Sequence, residues 1–382
     1  MGSKKLVESE RLRLLVLKSC LELGNKIDKH LLDTYGYDSD EYTFMLDVKE
    51  SWFNDGCEKV EIMNSVRNMS TFIFTDIYNS SGTYIMRGVE QHTSPNDLMQ
   101  QLRDTIGACN GHSSDLSIVM PMLYQGRQHR RKGREALTCA NWLHEFDRIK
   151  SIKRIITCDA HDPGVEQALY DTEFENIFLT NVLLENFINN VSDDELRDII
   201  FVAPDYGAIG RTNVYLNSFA SPNIMRYLGI CYKERDYNNV VNGKNPVLDH
   251  RYIGSDDIAG KTACLVDDMI ASGSSMFDVI DILNNKGVKN IYLFSTFSLF
   301  TEGIDKFDEY YNQGKFKGLY ATNATYVNNK YLNREWLHVV DCSEYVAKFI
   351  RYMYEGKSIT KLLQDKSGPG KVLMKKMDSC KK

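Results

Sequence analysis

The stretch Cys264-Leu-Val-Asp-Asp-Met-Ile-Ala-Ser-Gly-Ser-Ser-Met276 decides how this chain is read. An apolar strand ends in two adjacent acids, Asp267 and Asp268, a turn of small and hydroxyl residues follows, and a helix then begins. Strand, turn and helix in that order form the unit of a parallel α/β sheet, and such sheets bind ligands beyond the carboxyl ends of their strands. The backbone N–H groups and hydroxyls of Ala271, Ser272, Gly273, Ser274 and Ser275 stand where the helix starts. There they can hold a phosphate against the positive end of the helix dipole. The acid pair can hydrogen-bond vicinal hydroxyls of a sugar, so the segment suits a ribose phosphate with Mg²⁺. The plainer alternative is a helix cap at Ser272 or Ser274 with two exposed acids.

The alternation continues in both directions. Leu12 to Leu17, Thr71 to Tyr78, Ser117 to Leu123 and Arg154 to Cys158 read as strands, with helices at Cys20 to Leu32 and Ala140 to Ile149. Strands follow at Ile199 to Ala203, Ala263 to Val266, Asn290 to Ser295 and Leu337 to Val340, with helices at Ser274 to Asn284 and Glu344 to Glu355. Two such series imply two α/β domains, each a mostly parallel sheet flanked by helices. We assign 12–165 to an N-terminal domain, 166–364 to a C-terminal domain, and 365–382 to a mobile tail rich in Gly and Lys. Polar segments at Asp33–Tyr42 and Asp236–Asp249 read as loops.

The 382 residues are enough for two domains with large cores, and no disulfide or metal is needed for folding. With 46 basic and 52 acidic residues the net charge is −6, which argues against a general nucleic-acid binder. Nine cysteines without a C-x-x-C pair read as reduced thiols in a cytoplasmic protein. No apolar run reaches the ~20 residues of a membrane span, and the opening Met-Gly-Ser-Lys-Lys lacks a signal-peptide core. Gly254-Ser-Asp-Asp-Ile-Ala-Gly-Lys-Thr262 imitates a phosphate loop, but five residues separate its glycines and a strand follows it. We read it as a turn.

Four further segments carry chemistry. Ile118 to Arg134 runs from a buried strand into a loop with Arg127, Arg130, Arg131, Lys132 and Arg134. That charge suits a polyphosphate, and arginine also stacks on a purine. Its alternative is a solvated basic loop. Ile155-Ile-Thr-Cys-Asp-Ala-His-Asp162 ends a strand in groups that suit a hard cation, although a lone histidine is more often structural. Phe201 to Arg211 is a strand, Asp205, a turn at Gly207 and then Arg211. Ile230-Cys-Tyr-Lys-Glu-Arg235 ends a strand with Lys233 and Arg235, two cations able to stabilise a migrating phosphoryl group.

The Asp267 segment closely resembles the phosphoribosyl-diphosphate (PRPP) binding motif of phosphoribosyltransferases and ribose-phosphate pyrophosphokinases. The basic loop resembles the pyrophosphokinases' Y-x-x-x-R-Q-D: Arg127 and Gln128 match, and His129 stands where the family has Asp. Asp159 and His161 match the family's Asp-Leu-His-Ala, whose His contacts the nucleotide's metal. Asp205, Gly207 and Arg211 match its pyrophosphate loop, with Ala208 in place of a second Gly. Lys233 and Arg235 match its Lys-x-Arg, which leads into a mobile catalytic loop. Phe53, Asp55, Gly56 and Arg67 match a segment that helps form a neighbouring subunit's adenine pocket, with Cys57 where that pocket has Glu. Val340-Asp-Cys-Ser343 and Tyr354 to Ile359 resemble the family's closing motifs.

The resemblance covers about residues 12–364, with insertions near 33–45, 79–95 and 236–252. It implies two phosphoribosyltransferase-type domains facing one another across the active site, and ribose-phosphate diphosphokinase activity with ATP, ribose 5-phosphate and Mg²⁺. Diphosphate would pass from ATP to the sugar, giving PRPP and AMP. Lys233 and Arg235 would be catalytic. Asp267, Asp268 and Ala271 to Ser275 would hold ribose 5-phosphate. Phe53, Asp55, Arg127, Gln128 and Arg211 would hold ATP, and Asp159, His161 and Asp205 the metal. The resemblance also implies a homo-oligomer built from dimers, as in the family's hexamers. Two alternatives stay open: a non-catalytic paralogue, favoured by Cys57, His129, Ala208 and Ala271, and a transferase that consumes PRPP.

Overall fold

The computed structural model describes residues 4–131, 133–219, 224–235, 247–364 and 367–379. The chain forms two compact units, one of residues 1–178, 323–328 and 341–363, the other of 179–322, 329–340 and 364–382. This division differs from the boundaries read from sequence, because the stretch 341–363 returns to the first unit. Among the described residues no helix is long and apolar enough to cross a membrane.

The first unit is built on β1 (Leu12–Val16), β2 (Ser70–Phe74), β3 (Asp115–Val119), β4 (Ile152–Cys158) and β5 (Glu173–Ile177), in the order β5-β4-β3-β2-β1. All its neighbours pair in parallel. Every residue of β1 and β2 is buried, as expected of strands covered on both faces. Helices α1 (Leu21–Tyr35), α2 (Pro95–Cys109) and α3 (Thr138–Asp147) supply the crossovers. One face packs Ile73 and Ile118 against Leu102, Trp142 and Phe146. Burying each such side chain contributes roughly 1.5–3 kcal/mol. Ser94 starts α2 with a capping box: its hydroxyl accepts the Asp97 N–H, and the Asp97 carboxylate accepts the Ser94 N–H at 2.7 Å. On α1 lies α8 (Ser343–Tyr354), which is why 341–363 belongs to this unit. The predicted strand to Leu123 stops at Val119, just before Pro121.

The second unit has β6 (Asp198–Ala203), β7 (Met225–Arg235), β8 (Val247–Ile253), β9 (Thr262–Ile270), β10 (Asn290–Ser298), β11 (Gly318–Thr322) and β12 (Leu337–Val340). Their order is β8-β7-β6-β9-β10-β11-β12, parallel except for the antiparallel pair β7–β8. From β6 the chain builds outward to β7 through α5 (Ile209–Ser218), and from β9 it builds the other way through α6 (Ser274–Asn285). The direction of winding therefore reverses between β6 and β9, where doubly wound sheets open a binding crevice. A core of Phe187, Phe201, Tyr215, Phe219, Phe294 and Tyr320 fills one face.

Two expectations are corrected here. The tail does not trail away. Residues Ser367–Ser379 form a helix, α9, against α4 (Thr180–Asn190), with Leu373 buried in the aromatic core. Pro369 is tolerated because it lies in the helix's first turn. The segment read as a loop from Asp236 to Asp249 closes earlier, since 247–249 already belong to β8. The turn reading of Gly254–Thr262 agrees with the structure. Lys261 Nζ lies 2.9 Å from Asp198 and 3.4 Å from Asp257, a structural pair that leaves this lysine no phosphate to hold.

Candidate active site

The acid pair lies at the reversal point of the second sheet. The sequence suggests a strand ending at the acids, but β9 runs through them to Ile270, because β10 pairs with it as far as Ser298. Asp268 is 2% exposed and Asp267 23%. A counter-charge comes from α5: Arg211 Nη1 stands 3.5 Å from Asp268 and 3.8 Å from Asp267. Burial first, and then the neighbouring Asp268 charge, push the Asp267 carboxyl well above the usual carboxylate range, with Arg211 opposing them. Arg211, expected on the nucleotide, lies beside the Asp267–Asp268 pair.

The turn after β9 is held open for a ligand by Gly273. Its φ is +78°, and a Cβ there would come within 2.5 Å of Phe307 Cζ, so only glycine fits. Ser272 turns its hydroxyl toward Ser274, with 3.3 Å between the two oxygens. The Ala271 carbonyl accepts the Thr301 N–H at 3.0 Å, tying the turn to the end of β10. The first helical N–H, that of Ser274, donates to Ser272 Oγ at 3.4 Å, and a turn of this kind at a helix start is able to hold an anion.

Asp205 follows β6 on the same edge. Its carboxylate accepts the Ala208 N–H at 3.1 Å and is exposed to solvent. Ala208 has φ −83°, a conformation open to any L-residue, so Ala in place of glycine brings no strain there. Asp205, Asp267 and Asp268 share this crevice edge with Arg211. Among the described residues no group of three or more His, Cys, Asp or Glu is arranged to hold a metal by itself. Mg²⁺ asks for less, since it takes one or two carboxylates together with substrate phosphates and water. Two adjacent carboxylates at the carboxyl end of a strand fit that demand. Lys233 and Arg235 lie on β7, whose backbone pairs them with His250 and Val247. Their side chains, and residues 236–246, lie outside the described residues.

In the first unit, the loop after β3 exposes Arg127 and Gln128. It is anchored from behind by Trp142 Nε1, which donates to the Tyr124 carbonyl at 2.8 Å. At the end of β4 the backbone of Asp159 has φ +37°. Asp159 is buried, at 3% exposure, and its charge acts on the thiols of Cys158 and Cys342, whereas His161 is exposed. The two proposed metal ligands of this strand end therefore differ: His161 is open to solvent and Asp159 is not. The His161 ring lies 5.4 Å from that of His129. Asp162, the last residue of the strand end read as suiting a hard cation, accepts the Gly164 N–H and lies within 3.3 Å of both His129 and Arg130.

Phe53 and Asp55 sit at the tip of a hairpin of Val48–Trp52 and Glu58–Ile62, with Phe53 half-exposed and Asp55 accepting the Cys57 N–H at 2.9 Å. A second hairpin, Thr83–Met86 with Val89–His92, occupies the insertion near 79–95 and stacks Tyr84 on Trp52 at 4.0 Å. Glu58 does not replace the acid missing at Cys57. It is turned inward, and its carboxyl is pushed up to about 8 by burial and then by Asp104, Glu50 and Asp97.

The sequence and the fold both resemble known proteins. Residues 12–148 match the N-terminal domain of ribose phosphate pyrophosphokinase, and residues 238–364 match the phosphoribosyl synthetase-associated domain. The chain is 25% identical to a ribose-phosphate pyrophosphokinase from Gloeobacter violaceus, over 82% of this chain and 84% of that protein. It is also 25% identical to one from Aquifex aeolicus, over 83% and 91%. Its fold is similar to the crystal structure of phosphoribosylpyrophosphate synthetase from Mycobacterium smegmatis, with a TM-score of 0.69, 20% identity, and 92% and 100% of the two chains covered.

Proposed function

The chain belongs to the ribose-phosphate pyrophosphokinase family, and on that premise we propose that it transfers the β,γ-diphosphoryl group of ATP to the C1 hydroxyl of ribose 5-phosphate, giving PRPP and AMP. The observation that carries this reading is the juxtaposition of Asp267 and Asp268 with the Gly273 cradle at the sheet's reversal point. A sugar monophosphate has vicinal hydroxyls at one end and a phosphate at the other, the two groups these elements suit.

Asp267 and Asp268 accept hydrogen bonds from the ribose hydroxyls, and Arg211 keeps the two carboxylates aligned. Ala271 to Ser275 hold the 5-phosphate through backbone N–H groups and hydroxyls. The C1 hydroxyl then attacks the β-phosphorus of ATP. The P–O bond to the α-phosphate breaks, AMP leaves with that oxygen, and the attacking hydroxyl gives up its proton. Lys233 and Arg235 neutralise the charge that develops on the migrating group. Arg127 and Gln128 hold the nucleotide, with Phe53 and Asp55 offered from their hairpin to a neighbouring copy in a homo-oligomer built from dimers. Mg²⁺ would neutralise phosphate charge, and the groups that would hold it are Asp205 and the Asp267–Asp268 pair in the second unit and His161 in the first. The work is positioning and charge neutralisation, with no covalent enzyme intermediate. The setting we assign is cytoplasmic.

The test is chromatography of nucleotides after incubation with ATP and Mg²⁺, with and without ribose 5-phosphate. AMP that accumulates only with the sugar supports the reading. ADP in its place, or AMP independent of the sugar, contradicts it.

A further inference from the structure

The loop that carries Arg127 and Gln128 is fastened at a point outside the nucleotide motifs. The Asp162 carboxylate, 25% exposed, lies 3.3 Å from His129 Nε2 and 3.1 Å from an Arg130 guanidinium nitrogen. The opposite ring nitrogen of His129 faces the Gly126 carbonyl at 3.2 Å, so the ring meets an acceptor at each nitrogen and bridges its own loop to Asp162. Asp162 is itself fixed: its other oxygen accepts the Gly164 N–H at 2.9 Å at the start of a short 3-10 turn, Pro163–Ala168. The Arg130 side chain is 76% exposed and its contact is weak, whereas the His129 side chain is only 16% exposed, so the His129–Asp162 contact is the stronger tether.

We infer that Asp162 is a positioning residue that holds the nucleotide loop, through His129, against the strand end bearing His161. Two departures from the resembled motifs are here one feature. The loop has His129 where the resembled motif has an acid, and the strand end has Asp162 where the resembled motif has Ala. The acid has changed sides, and a basic ring now faces it. His129 is on this reading a compensated substitution, not a sign of lost activity. Asp162 touches no substrate in this scheme. It acts by keeping Arg127 and Gln128 at a fixed distance from His161, and a preset loop binds nucleotide without first being ordered.

The inference rests on the proposed activity, but its test has a readout that does not. Asp162→Asn retains an acceptor for Gly164 and removes the charge. It should raise the KM for ATP about five- to tenfold and leave the KM for ribose 5-phosphate within about twofold. In the ligand-free protein, trypsin should cut at the loop arginines several-fold faster than in wild type. His129→Asp alone sets two carboxylates face to face and should raise the KM for ATP more than tenfold. Combined with Asp162→Ala it should return to within about threefold of wild type, with wild-type resistance to trypsin. Equal rises in both KM values, an unchanged cutting rate, or a double variant no better than His129→Asp would each overturn the inference. Absence of AMP formation by the wild type would instead refute the activity, and the trypsin comparison would still decide the role of Asp162.

Discussion

Arg211 Nη1 stands 3.5 Å from the Asp268 carboxylate, whose side chain is 2% exposed. The contact joins the helix after β6 to the strand β9 across the reversal point of the sheet. Arg211→Ala leaves two buried acids facing each other, and removing one partner of such a group costs about 3 kcal/mol. Urea unfolding should show a loss of that order, and the KM for ribose 5-phosphate should rise at least tenfold. Wild-type stability would mean that the pair is not locked in this way. Asp267→Asn should keep the fold and weaken ribose 5-phosphate binding, which calorimetry measures directly.

Gly273→Ala tests the cradle. The new methyl would need both a left-handed backbone and space already filled by Phe307. Backbone strain of this kind costs of order 1–3 kcal/mol. The turn should rearrange, and ribose 5-phosphate affinity should fall more than tenfold while nucleotide affinity changes little. Unchanged sugar affinity would remove the cradle from the site.

Much of this is legible in the amino-acid sequence. The strands are short apolar runs buried on both faces, and Gly273 stands out as the small residue between a strand and a helix. What stayed hidden depends on neighbours far away in sequence. Aspartate disfavours strands, so β9 reads as ending at Val266, and its extension to Ile270 comes from pairing with β10. Arg211 can be assigned to Asp268 only once β6 and β9 are known to be adjacent. The Gly368-Pro369-Gly370 run suggests a mobile tail, yet Val372, Leu373 and Met377 share a helical face that packs into the core.

Asp76 gives a pH prediction. The carboxyl is 2% exposed, and burial raises it from 3.8 to about 7, against the hydrogen bonds it accepts from the Tyr326 and Tyr78 N–H groups. Between pH ~4 and ~7 the folded chain therefore holds a proton that the unfolded chain has released, and stability falls as pH rises through that window. The full effect is roughly 4 kcal/mol. Asp76→Asn should flatten this slope in denaturation midpoints measured from pH 4 to 8. An unaltered slope would assign it to other groups.

Lys233→Ala addresses the chemical step. Loss of one preorganised cation should lower kcat by roughly 10²–10³ while ribose 5-phosphate affinity stays near wild type. A coupled assay of AMP release reads the first quantity and calorimetry the second. Unchanged turnover would exclude Lys233 from the transition state.

The most direct test of the whole account follows phosphorus itself. With ATP, Mg²⁺ and ribose 5-phosphate, ³¹P NMR should show the β- and γ-phosphorus signals of ATP disappear together and reappear as a diphosphate on the sugar's C1, with one AMP formed for each. Transfer of the γ-phosphorus alone, or no sugar diphosphate at all, would contradict it.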